Sequence, residues 1–298
     1  MLKKTIFFST PCYLHIKNSQ LVYKPHTDEK PETTFPVEDI GFVVIDNRQI
    51  SVSMSVLELL IENNVAVVFC DSTHNPKSLL LNLDGNHIQS EIFSNQINAS
   101  EPLKKKLWKQ TVEAKIDNQI RLLKKLNKDY IKLYEYKNSV KSGDADNREA
   151  VAARVYWKRL FSDIEFKRDV GGEFPNCALN YGYAVVRSAV ARSLTGSGLL
   201  PTLGIHHCNR YNAFCLADDI MEPFRPFVDE AVYNISVERP DATGLTSDMK
   251  KKLLEILTVD AEYPNVKRPF MVGLSQTTAS LARCFSGEDK KIIYPTLE

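Results

Sequence analysis

The hydrophobic pattern of this chain changes period near residue 90. Before that point apolar residues come in short β-prone runs broken by turns. After it they recur every three to four residues over long stretches. A chain with both periods in succession predicts an α+β fold: a small β-rich N-terminal domain over 1–90, then an all-helical domain over 91–298. The length, 298 residues, suffices for two such cores.

In the first part, residues 5–8, 13–17 and 20–24 read as strands, with Asn18-Ser19 as a turn. Phe42-Val43-Val44-Ile45 and residues 65–70 are continuous apolar runs, as buried strands require. Residues 53–63 carry Met54, Leu57, Leu60 and Ile61 at helical spacing. Residues 78–81 make the last strand. The apolar run at the N-terminus is too short for a signal peptide and meets Pro11, so it reads as a first strand. No stretch approaches membrane-spanning length. Six cysteines without paired spacing point to reduced thiols and a cytoplasmic setting.

In the second part, Leu103, Leu107, Val112, Ile116, Ile120 and Leu123 form a 3.6-type stripe over 101–127. Residues 101–140 hold 11 Lys/Arg against 5 Asp/Glu, although the whole chain carries only +1. A lysine-rich helix is either a solvated face or the track of a phosphate backbone. On the second reading Lys104, Lys105, Lys109 and Arg154 are nucleic-acid contacts. Further helices are expected over 147–160, capped by Asp146 or Asn147, and over 179–194, 212–233, 247–257 and 273–285.

Three places carry chemistry. In 212–233, Asp219 and Glu222 are three apart and Asp218 and Glu222 four apart, so they share a face. Pro223 deprives the Asp219 carbonyl of its helical partner and Pro226 does the same to Glu222, which predicts a kink. Solvated acids beside an incidental kink are the plain alternative. His206 and His207 are adjacent and point in different directions. With Cys208 and Cys215 they do not match zinc-finger spacing, and the plain alternative is packed neutral imidazoles. Glu149 shares a helix face with Ala152, Ala153 and Tyr156, whose small members let a neighbouring helix close over the acid. A half-buried carboxylate has to be paired, here with Arg148, Arg154 or Arg225, or has to ligate a cation. Together, two carboxylates and an imidazole suit Mg²⁺ or Mn²⁺ acting on a phosphodiester. Phosphate-binding Gly-rich loops and a G-x-S-x-G elbow are missing from the sequence.

Asn147-Arg148-Glu149-Ala150-Val151-Ala152-Ala153-Arg154-Val155-Tyr156 resembles the first metal-ligand motif of the family of CRISPR-associated protein one, an integrase and endonuclease. Ala178-Leu179-Asn180-Tyr181-Gly182-Tyr183 resembles its central helix signature. Gly204-Ile205-His206-His207 and Leu216-Ala217-Asp218-Asp219-Ile220-Met221-Glu222-Pro223-Phe224-Arg225-Pro226 resemble the second and third ligand motifs. The likeness runs along the whole chain, including Leu83-Asp84-Gly85-Asn86-His87, and is closest in pattern to the type II branch.

That resemblance implies Glu149, His207 and Glu222 as catalytic metal ligands, with Asp219 and Arg225 standing behind them. The choice of His207 over His206 comes from the family pattern. It implies Mg²⁺ or Mn²⁺, double-stranded DNA as spacer precursor and repeat, and insertion by 3′-hydroxyl attack. It also implies a homodimer through the N-terminal domains and a partner in the small CRISPR-associated protein two. The rival functions are a stand-alone structure-specific DNA nuclease and a non-catalytic nucleic-acid-binding scaffold.

Overall fold

Strands β1 (Lys4–Phe8), β2 (Cys12–Lys17), β3 (Gln20–Pro25), β4 (Thr33–Pro36), β5 (Ile40–Ile45), β6 (Ser51–Val52), β7 (Ala66–Cys70) and β8 (Pro76–Leu80), with helix α1 (Met54–Glu62), build the first unit. The computed structural model describes residues 3–27, 31–82, 84–164, 166–264 and 266–298. One sheet runs β1-β5-β7-β8, with β1, β5 and β7 parallel and β8 antiparallel to β7. β5 is buried along its whole length, which is why its sequence does not alternate. The other sheet runs β4-β3-β2-β6. Its β2–β3 hairpin turns on Asn18 and Ser19, both at positive φ (52° and 58°), as a tight primed turn needs. Val56 and Leu60 of α1 pack with Leu14, Leu21, Val43 and Val67 into one core. Two short strands, β4 and β6, escape the sequence reading. β4 lies at a sheet edge and ends in a proline, and β6 has two residues.

The second unit contains α2 (Gln89–Ile97), α3 (Glu101–Lys125), α4 (Ile131–Asn138), α5 (Arg148–Leu160), α6 (Asn176–Gly196), α7 (Cys215–Met221), α8 (Arg225–Glu238) and α9 (Ser247–Glu255). Strands β9 (Asp260–Tyr263) and β10 (Val266–Pro269) and helix α10 (Phe270–Ser286) follow. The long helix α3 begins on Ser100, whose hydroxyl accepts from the Leu103 N–H, and ends on Lys124 and Lys125. Those ends suit the helix dipole. α6 approaches α8 so closely at Gly182 that a β-carbon there would collide with Val228.

Two expectations are corrected here. The units divide between Gly85 and Asn86 rather than at 90. The reason is that α2 belongs with the helices: its Gln96 side chain bonds the carbonyls of Leu200 and Leu203 and the N–H of Leu200. The second unit is also not purely helical. β9 and β10 form an antiparallel ribbon in which Ala261 and Tyr263 are buried and Asp260 is exposed, a period-two pattern too short to stand out in the sequence. Leu83, in the segment 83–87 of the resemblance, lies outside the described residues. Among the described residues all six cysteines are free, and no helix is long and apolar enough to cross a membrane.

Candidate metal centre

The proline pair produces the expected kink. α7 stops at Met221, residues Glu222–Phe224 form one 3₁₀ turn, and α8 starts at Arg225. The carbonyls deprived of their helical partners recover others three residues on. The Glu222 N–H donates to the Asp219 carbonyl, and the Arg225 N–H donates to the Glu222 carbonyl. The Pro223 carbonyl accepts from Asn118 Nδ2 of α3 at 2.7 Å, which ties the turn to that helix. Glu222 opens this turn, and its side chain is only 8% exposed.

Asp219, fully buried, organises the loop that carries the histidines. Its Oδ2 accepts from the N–H groups of Ile205 (2.7 Å) and His206 (2.9 Å), and its Oδ1 from the N–H of His207 (3.2 Å). The same Oδ1 meets His207 Nδ1 at 2.5 Å. An ionised carboxylate has only acceptors to offer, so Nδ1 carries a proton, and in the neutral imidazole the lone pair is on Nε2. The bond to Asp219 raises the His207 pKa, against the effect of burial. Gly204 is required here because a β-carbon would fall 2.8 Å from Asp219 Oδ2 and collide with the His207 carbonyl. The adjacent His206 turns away and stacks flat on Trp108, with ring centroids 4.2 Å apart. Trp108 also meets His207 edge-on. Burial, assisted by His207, lowers the His206 pKa.

Glu149 sits in the first turn of α5. Asn147 occupies the N-cap position of that helix as expected, but its side chain makes no capping bond; Asp144 supplies it instead, accepting from the N–H groups of Arg148 (2.8 Å) and Glu149 (3.0 Å). Ala152 and Tyr156 are completely buried, so the face that carries Glu149 is covered as its small residues allow. The cation that pairs Glu149 is none of the three arginines expected. It is Lys115 of α3, whose ammonium bonds Glu149 Oε1 and also lies 2.5 Å from Glu222 Oε2. Arg225 takes the other Glu222 oxygen through Nε at 2.9 Å and rests its guanidinium on the Tyr183 ring.

Burial by itself would protonate Glu222. Arg225 and Lys115 outweigh it and hold the carboxyl down at about 2. Burial likewise opposes the Lys115 charge, and Glu222 and Glu149 hold its pKa above the usual lysine value.

Lys115, Trp108 and Asn118 were not identified from sequence, yet a signal was present. Trp108, Thr111, Lys115, Asn118 and Leu122 follow each other at intervals of three and four, and all are buried. Polar residues in register with a buried stripe have to find partners. Of the candidate DNA contacts, Lys105 and Arg154 are exposed, whereas Lys104 pairs with Glu101 and Lys109 with Glu113. Lys104 lines a cavity of about 380 Å³ that reaches His207, Cys208 and Arg210.

The structure thus joins Glu149 and Glu222 through one ammonium, with His207 held separately by Asp219. Among the described residues no three of these side chains stand in ligating positions. The residues nevertheless fit a divalent ion. Glu222 Oε2 is a buried oxygen with an ion contact but no directed hydrogen bond, because Lys115 approaches it outside hydrogen-bonding angles. Two carboxylates and a free imidazole nitrogen are hard and borderline donors of the kind Mg²⁺ and Mn²⁺ accept.

The description "CRISPR associated protein Cas1" belongs to a family model that matches residues 6–252. The chain is 39% identical over 226 residues to the CRISPR-associated endonuclease Cas1 of Neisseria meningitidis serogroup C (strain 8013), covering 75% of this chain and 74% of that one. A casposase bound to an integration product matches the structure with a TM-score of 0.81 at 20% identity, over 98% of this chain and 92% of that one. A Cas6-RT-Cas1–Cas2 complex gives 0.76 at 17% identity, over 99% of this chain and 36% of that one. At such identities the structural likeness is one of fold.

Proposed function

The chain belongs to the Cas1 family of CRISPR-associated proteins, and from that premise we propose that it is a divalent-metal-dependent DNA integrase and endonuclease. It inserts short spacer fragments into a CRISPR array, in a system of the type II branch, by attack of a fragment 3′-hydroxyl on a phosphodiester at the repeat border. The curated relative is an endonuclease by name, and the casposase of the same fold was captured on an integration product. The observation that carries the reading is the convergence of Glu149 and Glu222 on a single cationic point, beside a His207 whose Nδ1 is occupied by Asp219.

Glu149, Glu222 and His207 Nε2 are the groups that hold Mg²⁺ or Mn²⁺. When bound, the ion neutralises phosphodiester charge and lowers the barrier to attack by a hydroxyl. Asp219 fixes the tautomer and direction of the imidazole. Arg225 keeps Glu222 ionised, and the kink at Pro223 keeps it in place. Lys104, Lys105, Lys109 and Arg154 bind duplex backbone without reading sequence. The protein works as a homodimer with a small Cas2-like partner; the partner is supported by the fold shared with a chain of the Cas6-RT-Cas1–Cas2 complex.

The test is an integration assay on a supercoiled repeat-bearing plasmid, with and without the small partner. Glu149→Ala and His207→Ala lose strand transfer while retaining DNA binding. Full strand transfer by either variant in Mn²⁺ rules out the ligand assignment.

A further inference from the structure

The geometry points to Lys115 as a resident counter-ion. In the metal-free protein its ammonium holds the seat between Glu149 and Glu222, and a divalent ion has to displace it to bind. This inference rests on the metal-dependent reading above and adds a regulatory element to that site.

Glu149 arrives on α5 and Glu222 on the 3₁₀ turn after α7. A buried carboxylate and a three-quarters-buried one brought together repel each other and lose solvation unless a cation stands between them. Lys115 meets that need from a third element, α3, with its side chain only 9% exposed. The arrangement around Glu222 is asymmetric. Arg225 makes a directed hydrogen bond to Oε1, whereas Lys115 touches Oε2 by proximity alone. Arg225 is a fixture, also held on the Tyr183 ring. Lys115 bridges the two carboxylates and is the group that can be exchanged. A lysine stem is flexible and its ammonium is a point charge with no preferred plane, so it leaves such a seat more easily than a guanidinium does.

An ammonium and a divalent ion cannot occupy one seat. Metal affinity is therefore reduced by the fraction of molecules in which Lys115 is still in place. Once displaced, the ammonium remains tethered at the site and is free to pair with a strand phosphate. Occupancy by metal and readiness for an anionic substrate are then coupled through one side chain.

Calorimetric titration of Mn²⁺ into the full-length protein, with thermal unfolding at zero and saturating Mn²⁺, tests this. Wild type is compared with Lys115→Met, which keeps the stem and removes the charge, and with Lys115→Arg, which keeps the charge. Lys115→Met binds Mn²⁺ about tenfold more tightly than wild type, as a competent fraction near one tenth requires. It also melts lower than wild type without metal and recovers with Mn²⁺. Lys115→Arg binds no more tightly than wild type. A variant too unstable to fold alone folds when Mn²⁺ is present during refolding, and failure of that rescue overturns the proposal. Equal or weaker Mn²⁺ binding by a folded Lys115→Met also overturns it while leaving the metal-dependent reading intact. Absence of Mn²⁺ binding by both wild type and Lys115→Met removes the metal-dependent reading and this inference with it.

Discussion

Glu222 and Asp229 are two buried carboxylates on either side of the start of α8, and their pKa values are pushed in opposite directions. Glu222 has a cation on each oxygen, Arg225 on one and Lys115 on the other. Among the described residues Asp229 is hydrogen-bonded by two phenols, accepting from Tyr156 Oη at 2.8 Å and from Tyr183 Oη. Burial pushes both carboxyls up. For Glu222 the two cations in contact reverse the effect and bring it to about 2, while for Asp229 the two hydroxyls, with Arg225 and Lys115 acting without a hydrogen bond to it, fall short and it rests at about 6. In a dry interior, then, the cations in contact decide how low the pKa of a carboxylate falls. Glu222 meets two cations from neighbouring elements; Asp229 joins α5, α6 and α8 through its two phenols.

The sharpest way to break this contrast is a matched pair of amides. Glu222→Gln lowers Mn²⁺-dependent strand transfer on the order of 10³-fold, whereas Asp229→Asn retains most of it. Equal losses in the two variants erase the distinction.

The next effect is on stability against pH. A carboxyl raised from its ordinary 3.8 to about 6 is favoured in its protonated form by the folded protein, so stability falls as pH rises through that window and levels off above it. The expected fall is on the order of 3 kcal/mol. Glu222 has the opposite sign: its contribution is complete above the ordinary 4.5 and is lost as pH falls toward 2. Between pH 4.5 and 6.5 the slope from this pair therefore belongs to Asp229, and urea unfolding of Asp229→Asn over that range is flatter than wild type. An unchanged slope refutes the role given to Asp229.

The smallest effect comes from the phenols. Tyr156→Phe removes one donor from Asp229 and costs about 1–3 kcal/mol in urea unfolding at neutral pH. A cost near zero there indicates that water replaces the lost hydroxyl.

Much of the fold was legible because its determinants are local. The apolar run at β5, the Asn18-Ser19 turn and the stripe of α3 each follow from a few neighbouring residues. The kink was also legible, since two prolines remove two specified hydrogen bonds whatever surrounds them. The β9–β10 ribbon was not, because four residues of alternation cannot compete with the helical pattern on either side. The side chain that satisfies the start of α5 was missed for a related reason, although Asn147 does hold the cap position. Asp144 lies upstream of the residues expected to cap, and only the folded path of 144–147, with Asp144 and Asn147 both at positive φ, returns its carboxylate to the helix end.

At the candidate site the sequence by itself determined which donors were on offer: an acid behind small alanines, a histidine after a glycine, and an acid pinned by prolines. Tertiary structure alone decided their use. It committed both oxygens of Asp219 to the loop of His206 and His207, and it placed Lys115 between Glu149 and Glu222. No local period records which charge from a distant helix will fill a given gap. That choice follows from how α3, α5 and the 3₁₀ turn pack, and from the electrostatic cost of leaving the buried Glu222 and the partly buried Glu149 without a cation between them.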